Sequence, residues 1–107
     1  MRKAEIYCNK IYAGLLEEKS PTDYQFSYDE AYVRANTPPV SLTLPKRMEP
    51  YHSPYLFPFF ANQLPEGVNK RAVCRMQKID ENDEFGLLLA FSGKDFIGHL
   101  GLKDISE

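Results

Sequence analysis

The chain holds two histidines, His52 and His99, and two cysteines, Cys8 and Cys74. These residue types often supply a base, a nucleophile or a metal ligand, but only where they converge. His52 lies in a proline-rich stretch and reads as exposed. His99 stands between Gly98 and Leu100 and reads as a strand residue. No HxxxH, HExxH or DxDxDG spacing occurs. Cys8 and Cys74 fall in a strand-like and a helix-like segment with no CxxC pattern. They read as reduced, buried thiols of a cytoplasmic protein. The carboxylates Asp80, Glu81, Asp83 and Glu84 precede an apolar helical run. There they cap the helix and meet its dipole, and they do not face each other across a substrate as a glycosidase pair must. Ser92-Gly93-Lys94-Asp95 contains a Gly-Lys pair, but it follows a helix and precedes a strand, the reverse of a phosphate-binding loop. Gly98 and Gly101 make no dinucleotide fingerprint, and the HRD, DFG and VAIK elements of protein kinases are absent. No catalytic residue, cofactor or metal ligand set is therefore expected, and an enzyme is not.

The unusual chemistry that remains is apolar. Tyr55-Leu56-Phe57-Pro58-Phe59-Phe60 is followed by Asn62-Gln63-Leu64-Pro65-Glu66-Gly67. Leu56, Phe59, Phe60 and Leu64 recur at i, i+3, i+4 and i+8, the face of a helix turned to a core. Three phenylalanines within four positions exceed what one short face can bury on a small sheet. Tyr55 and Phe57 are then left for an exposed apolar patch, and such patches mark partner surfaces with aromatic anchors. The candidate partner-binding residues are Tyr55, Phe57, Asn62, Gln63, Leu64, Pro65, Glu66 and Gly67.

The elements that must position these residues follow from periodicity. Ala4, Ile6 and Cys8 alternate with Lys3, Glu5 and Tyr7, as in a half-buried strand. Asn9-Lys10 can turn the chain, because Asn tolerates positive φ. Residues 11–17 return as a second strand, with Gly14 marking a bulge or a close backbone approach. Residues 19–23 form a loop, and Tyr24, Phe26 and Tyr28 give a third strand with an aromatic face. Asp29 can cap a short helical turn through Val33. Val40, Leu42 and Leu44 alternate with Ser41 and Thr43 as a fourth strand closed by Pro45. Residues 46–54 read as an ordered crossing loop. A helix then begins near Leu56 with Pro58 in its first turn. A second carries the apolar stripe Val68, Ala72, Val73 and Met76, with Lys70, Arg71, Arg75 and Lys78 facing outward. A third is capped by Asn82 or Asp83 and packs Phe85, Leu87, Leu88, Leu89 and Phe91. Gly93 ends it, and residues 96–102 close the chain as a strand. Strands first, helices next and a closing strand predict an α+β fold. Its core is a small, mostly antiparallel sheet of about five strands with about three helices packed on it.

The 107 residues suit one domain, residues 1–107. The net charge of −2 lacks the basic excess on which autonomous nucleic-acid binding rests, although Lys70, Arg71 and Arg75 could form a local patch. The opening residues lead straight into a strand-like run, unlike a signal peptide. The longest apolar run, residues 85–91, is far short of the ~20 residues that span a bilayer. A cytoplasmic location without membrane contact is expected.

These residues also carry a resemblance. Phe26-Ser27-Tyr28-Asp29, then Pro39-Val40-Ser41-Leu42-Thr43-Leu44-Pro45, then Leu56-Phe57-Pro58-Phe59-Phe60-Ala61-Asn62-Gln63-Leu64-Pro65-Glu66-Gly67 resemble the N-terminal subdomain of HipA-type serine/threonine kinases. The opening hairpin with Gly14, and Phe85-Gly86-Leu87-Leu88 with Ser92-Gly93-Lys94-Asp95-Phe96-Ile97-Gly98, are similar to further pieces of that subdomain. The chain departs from the family at Gln63, where Leu is usual. It also stops where a full kinase would continue into its nucleotide-binding and catalytic parts, so no kinase activity is expected. The resemblance implies a toxin–antitoxin setting. In tripartite operons of this type the subdomain is a separate small protein that binds and restrains a shortened HipA- or HipT-like kinase. A HipB-like helix-turn-helix DNA-binding protein is a further partner, reached through the complex.

Three functions stay open at this point. The first is a non-catalytic antitoxin that binds the kinase. The second is an obligatory lobe that completes or activates it. The third is a small ligand-binding or enzymatic domain of unrelated class.

Overall fold

The computed structural model of the chain describes residues 2–62, 67–80, 82–90 and 100–106, with the backbone alone at 67–70. Strand β1 (Arg2–Cys8) buries Ala4, Ile6 and Cys8, while Lys3, Glu5 and Tyr7 stay half-buried on its other face. Asn9 and Lys10 take φ values of 52° and 68°, both positive, as a two-residue hairpin of matching twist requires. Strand β2 (Ile11–Ser20) runs three residues beyond the predicted end. Ile6 pairs with Gly14 and Tyr7 with Tyr12, so Ala13 is an extra residue in the ladder. Its carbonyl accepts a hydrogen bond from the Asp29 amide at 2.8 Å. A Cβ on Gly14 would lie 2.2 Å from the Ser27 carbonyl oxygen. Bulge and close approach thus coincide at this glycine.

Strand β3 (Asp23–Tyr28) buries Tyr24, Phe26 and Tyr28. The helix that follows, α1 (Glu30–Arg34), begins after Asp29, but the Asp29 side chain makes no capping bond. The amide of Asp29 is held by the bulge at Ala13, and the one-turn helix is anchored instead by Tyr32, which is 2% exposed. No strand forms at 40–44. Ser41 and Leu44 close a tight turn, and Leu42 stands 92% exposed at its tip. The cause is Tyr28. Its hydroxyl accepts from the Val40 amide at 3.0 Å and donates to the Leu44 carbonyl, so both ends of the segment meet one atom.

The sheet's fourth strand is instead β4 (Tyr51–Ser53), inside the stretch expected to be a loop. Helix α2 (Pro58–Ala61) carries Pro58 at its first position, where no amide is needed. Next come α3 (Gly67–Gln77) and α4 (Glu84–Leu89). Strand β5 (Leu100–Asp104) pairs with β1. All pairings are antiparallel, in the order β4-β3-β2-β1-β5. The α+β class with a five-stranded sheet is as expected, and the helix beyond the three expected is α1.

One face of the sheet carries the core. Phe26 meets Phe60 of α2 at 5.5 Å between ring centroids, Tyr28 stacks on Tyr32 of α1 at 6.0 Å, and Tyr24 meets Phe85 of α4 at 6.0 Å. Leu87, Leu88, Leu100 and Leu102 complete it. On α3 the expected stripe is corrected. Met76 is 81% exposed and Ala72 is exposed, while Cys74 is buried and Val73 half-buried. The expected helix-ending Gly93, together with Phe91, Ser92, Lys94, Asp95, the first part of the closing strand and His99, lies outside the described residues.

Candidate partner-binding surface

The segment from Thr37 to Phe60 holds the exposed apolar side chains that sequence reasoning sought, but not all the expected ones. Tyr55 is 64% exposed. Phe57 is only 6% exposed and turns edge-on to Phe60, with 6.3 Å between centroids. The expectation of an exposed Phe57 is therefore corrected. Phe57 and Phe59 both turn edge-on to Phe60, and Phe60 in turn meets Phe26 of β3. Asn62 is exposed and closes α2, its amide bonding the Pro58 carbonyl at 2.9 Å. Gly67 opens α3. Gln63, Leu64, Pro65 and Glu66 lie outside the described residues.

What the structure adds is a small apolar depression of about 150 Å³. Phe57 and Leu44 form its floor, and Pro58, Phe59 and Thr43 its walls. Leu42 projects from the turn that supplies Thr43 and Leu44. Sequence reasoning missed Leu42, because alternation placed it on the same face as Val40 and Leu44. The prolines at 38, 39 and 45 were the available hint that this run is too short and too boxed in to pair.

The loop bearing the depression is held firmly. Burial pushes the Tyr28 hydroxyl up to about 12, so it stays a proton donor to Leu44. Tyr32 donates to the Pro38 carbonyl at 2.6 Å, and burial raises its pKa as well. Lys46 bonds the Ala35 carbonyl at 2.8 Å and lies over the Tyr32 ring. Arg47 stacks on Tyr51 at 3.6 Å and bonds the carbonyls of Glu49 and Pro50. These two cations are spent on their own loop.

The other polar cluster is structural. Arg2 forks to Glu18 and to Asp83, with contacts of 2.8–2.9 Å, and Tyr24 donates to Glu18 at 3.0 Å. The Arg2 guanidinium holds the Asp83 carboxyl below its ordinary range, and Asp83 also caps α4 through the Gly86 amide at 3.0 Å. Asp80 caps its own turn at the Asn82 amide. Exposed His52 sits on edge strand β4. Among the described residues no three His, Cys, Asp or Glu side chains converge as metal ligands would. No described helix is long and apolar enough to cross a membrane.

Known proteins resemble this chain in sequence and in fold. The chain is 34% identical to an uncharacterized protein of Haemophilus influenzae over 104 residues, covering 97% of this chain and 93% of that one. It is 36% identical over 103 residues to a Sinorhizobium fredii protein named "Putative kinase Y4mE", and there it spans only 24% of the relative's length. A solved structure, the N-terminal domain of HipA toxin, superposes with a TM-score of 0.70 at 34% identity, over all of this chain and 93% of that one. The profile of the HipA N-terminal domain matches residues 4–103, and the chain belongs to that family.

Proposed function

We propose that this chain is a non-catalytic protein-binding module that binds a HipA- or HipT-like serine/threonine kinase in the cytoplasm and restrains it, as the antitoxin of a toxin–antitoxin system. One observation carries the reading. The same domain is about a quarter of a relative named "Putative kinase Y4mE", and nearly all of the matched protein in Haemophilus influenzae. A domain that occurs both fused to and apart from a larger chain is suited to dock on that chain. Tyr55, Asn62 and residues 63–67 supply the contact, with Leu42 on the turn whose Thr43 and Leu44 line the depression and Phe57 within it. A pocket of about 150 Å³ accepts one apolar anchor of a partner and is small against the ~300–1,000 Å³ of small-molecule sites. A HipB-like DNA-binding protein joins through the kinase.

The second reading makes the chain a lobe that completes the kinase. It is favoured by the fused arrangement in the Sinorhizobium relative. Co-purification with the protein encoded next door, followed by a phosphorylation assay with and without this chain, tests both. Association with loss of activity is expected. Association with gain of activity selects the second reading, and no association defeats both.

A further inference from the structure

Helix α3 is the part of the molecule least accounted for by its own fold. Of its side chains from Arg71 to Gln77, only Cys74 is buried and Val73 half-buried. Arg71 and Arg75 fall at i and i+4 on the outer face, and exposed Lys78 follows at the turn that ends the helix. Ala72 and the 81% exposed Met76 form an apolar strip beside the two arginines. The helix stops at Lys78, whose φ is 57°, and the Ile79 amide returns to the Cys74 carbonyl at 2.8 Å. Like charges at i and i+4 disfavour a helix, and only Arg75, in the last turn, is offset by the helix dipole.

The other arginines behave differently. Arg2 and Arg34 are paired with carboxylates, and Arg47 is bound to carbonyls. No described acidic side chain pairs with Arg71, Arg75 or Lys78. Residues 67–78 hold four basic residues and no acidic one in a chain of net charge −2, which leaves −6 on the remainder. That remainder repels a polyphosphate, whereas a protein surface can match both the cations and the apolar strip.

We infer that the outer face of α3, built by Arg71, Arg75, Lys78, Ala72 and Met76, docks on an acidic protein surface with an apolar pit for Met76. This rests on the kinase-binding reading and assigns the acidic surface to that kinase. The helix begins at Gly67, the last residue of the segment proposed above for the contact.

The test measures binding of the full chain to the purified kinase across salt concentrations. The variants are Arg71→Glu/Arg75→Glu, Met76→Ala and a charge-matched control, Lys10→Glu/Lys19→Glu, each checked for native circular dichroism and melting. The helix reversal is expected to weaken binding at least about tenfold at low salt and to flatten the salt dependence. The control stays within about twofold, and Met76→Ala loses about fivefold or more. Full binding by the folded helix reversal overturns the inference while the proposed function stands. No binding by the unmodified chain removes the proposed function and the inference with it. Retention on duplex DNA that the helix reversal abolishes, with kinase binding unchanged, replaces the protein occupant by nucleic acid and also overturns it.

Discussion

Helices α3 and α4 are neighbours in sequence and opposites in construction. Helix α4 has six residues, and Phe85, Leu87 and Leu88 are each 0% exposed. Its N-terminus is capped by Asp83, which pairs with Arg2 of β1, and Arg2 pairs in turn with Glu18 of β2. Helix α3 has eleven residues and one buried side chain among those described. A helix that short gains little from propensity alone and depends on packing of one face. The difference teaches that α4 is held by the domain, while α3 presents more surface than it buries.

The largest effect expected from this contrast is on Phe85. Phe85→Ala removes a fully buried ring that meets Tyr24 and the Arg2 guanidinium. A loss of about 3–5 kcal/mol in denaturant unfolding is expected. A loss below about 1 kcal/mol would break the claim that α4 anchors the core. Asp83→Ala comes next. It removes the cap and one arm of the Arg2 fork, and about 1–2 kcal/mol is expected from the same titrations.

Asp83→Asn separates those two contributions, because Asn caps nearly as well but carries no charge. The Asp83 carboxyl titrates lower in the fold than in the unfolded chain. Its contribution is therefore complete above the ordinary carboxylate pKa of about 4, and it is lost as pH falls through the depressed folded value. Both partners are about a third exposed, so solvent screening keeps the effect near 0.5 kcal/mol. Melting curves against pH should show the native chain losing that increment in acid and the Asn variant lacking it throughout.

The smallest expected effect is on the other helix. Met76→Ala should change stability by less than about 0.5 kcal/mol. In hydrogen exchange, α3 amides should exchange through local opening, and α4 amides only with global unfolding. Equal protection in the two helices would erase the contrast.

Much of the fold was legible because period-two alternation in β1 and β3 and the Asn-Lys turn are local signals. Gly14 was legible for the same reason, since a glycine inside a strand announces that another backbone comes close. The segment from Val40 to Leu44 was not. Its alternation looked like a strand, yet Tyr28 gathers both ends of it, and the free edge of β3 goes to Tyr51–Ser53. The same limit explains the candidate surface. Tyr55 was found by apolar excess. Phe57 was misread and Leu42 missed, because exposure depends on which other segments arrive: Leu44 lies by Phe57, and Tyr28 holds the ends of the turn that bears Leu42.

Strand pattern, turn chemistry and the α4 cap are written in residue types a few positions apart, so the amino-acid order is enough for them. The edge given to β4, the burial of Phe57, the Arg2 fork joining residues 16 and 81 positions apart and the bare outer face of α3 are not. They arise when distant segments compete for one hydroxyl, one sheet edge or one patch of core, and only the folded chain resolves that competition.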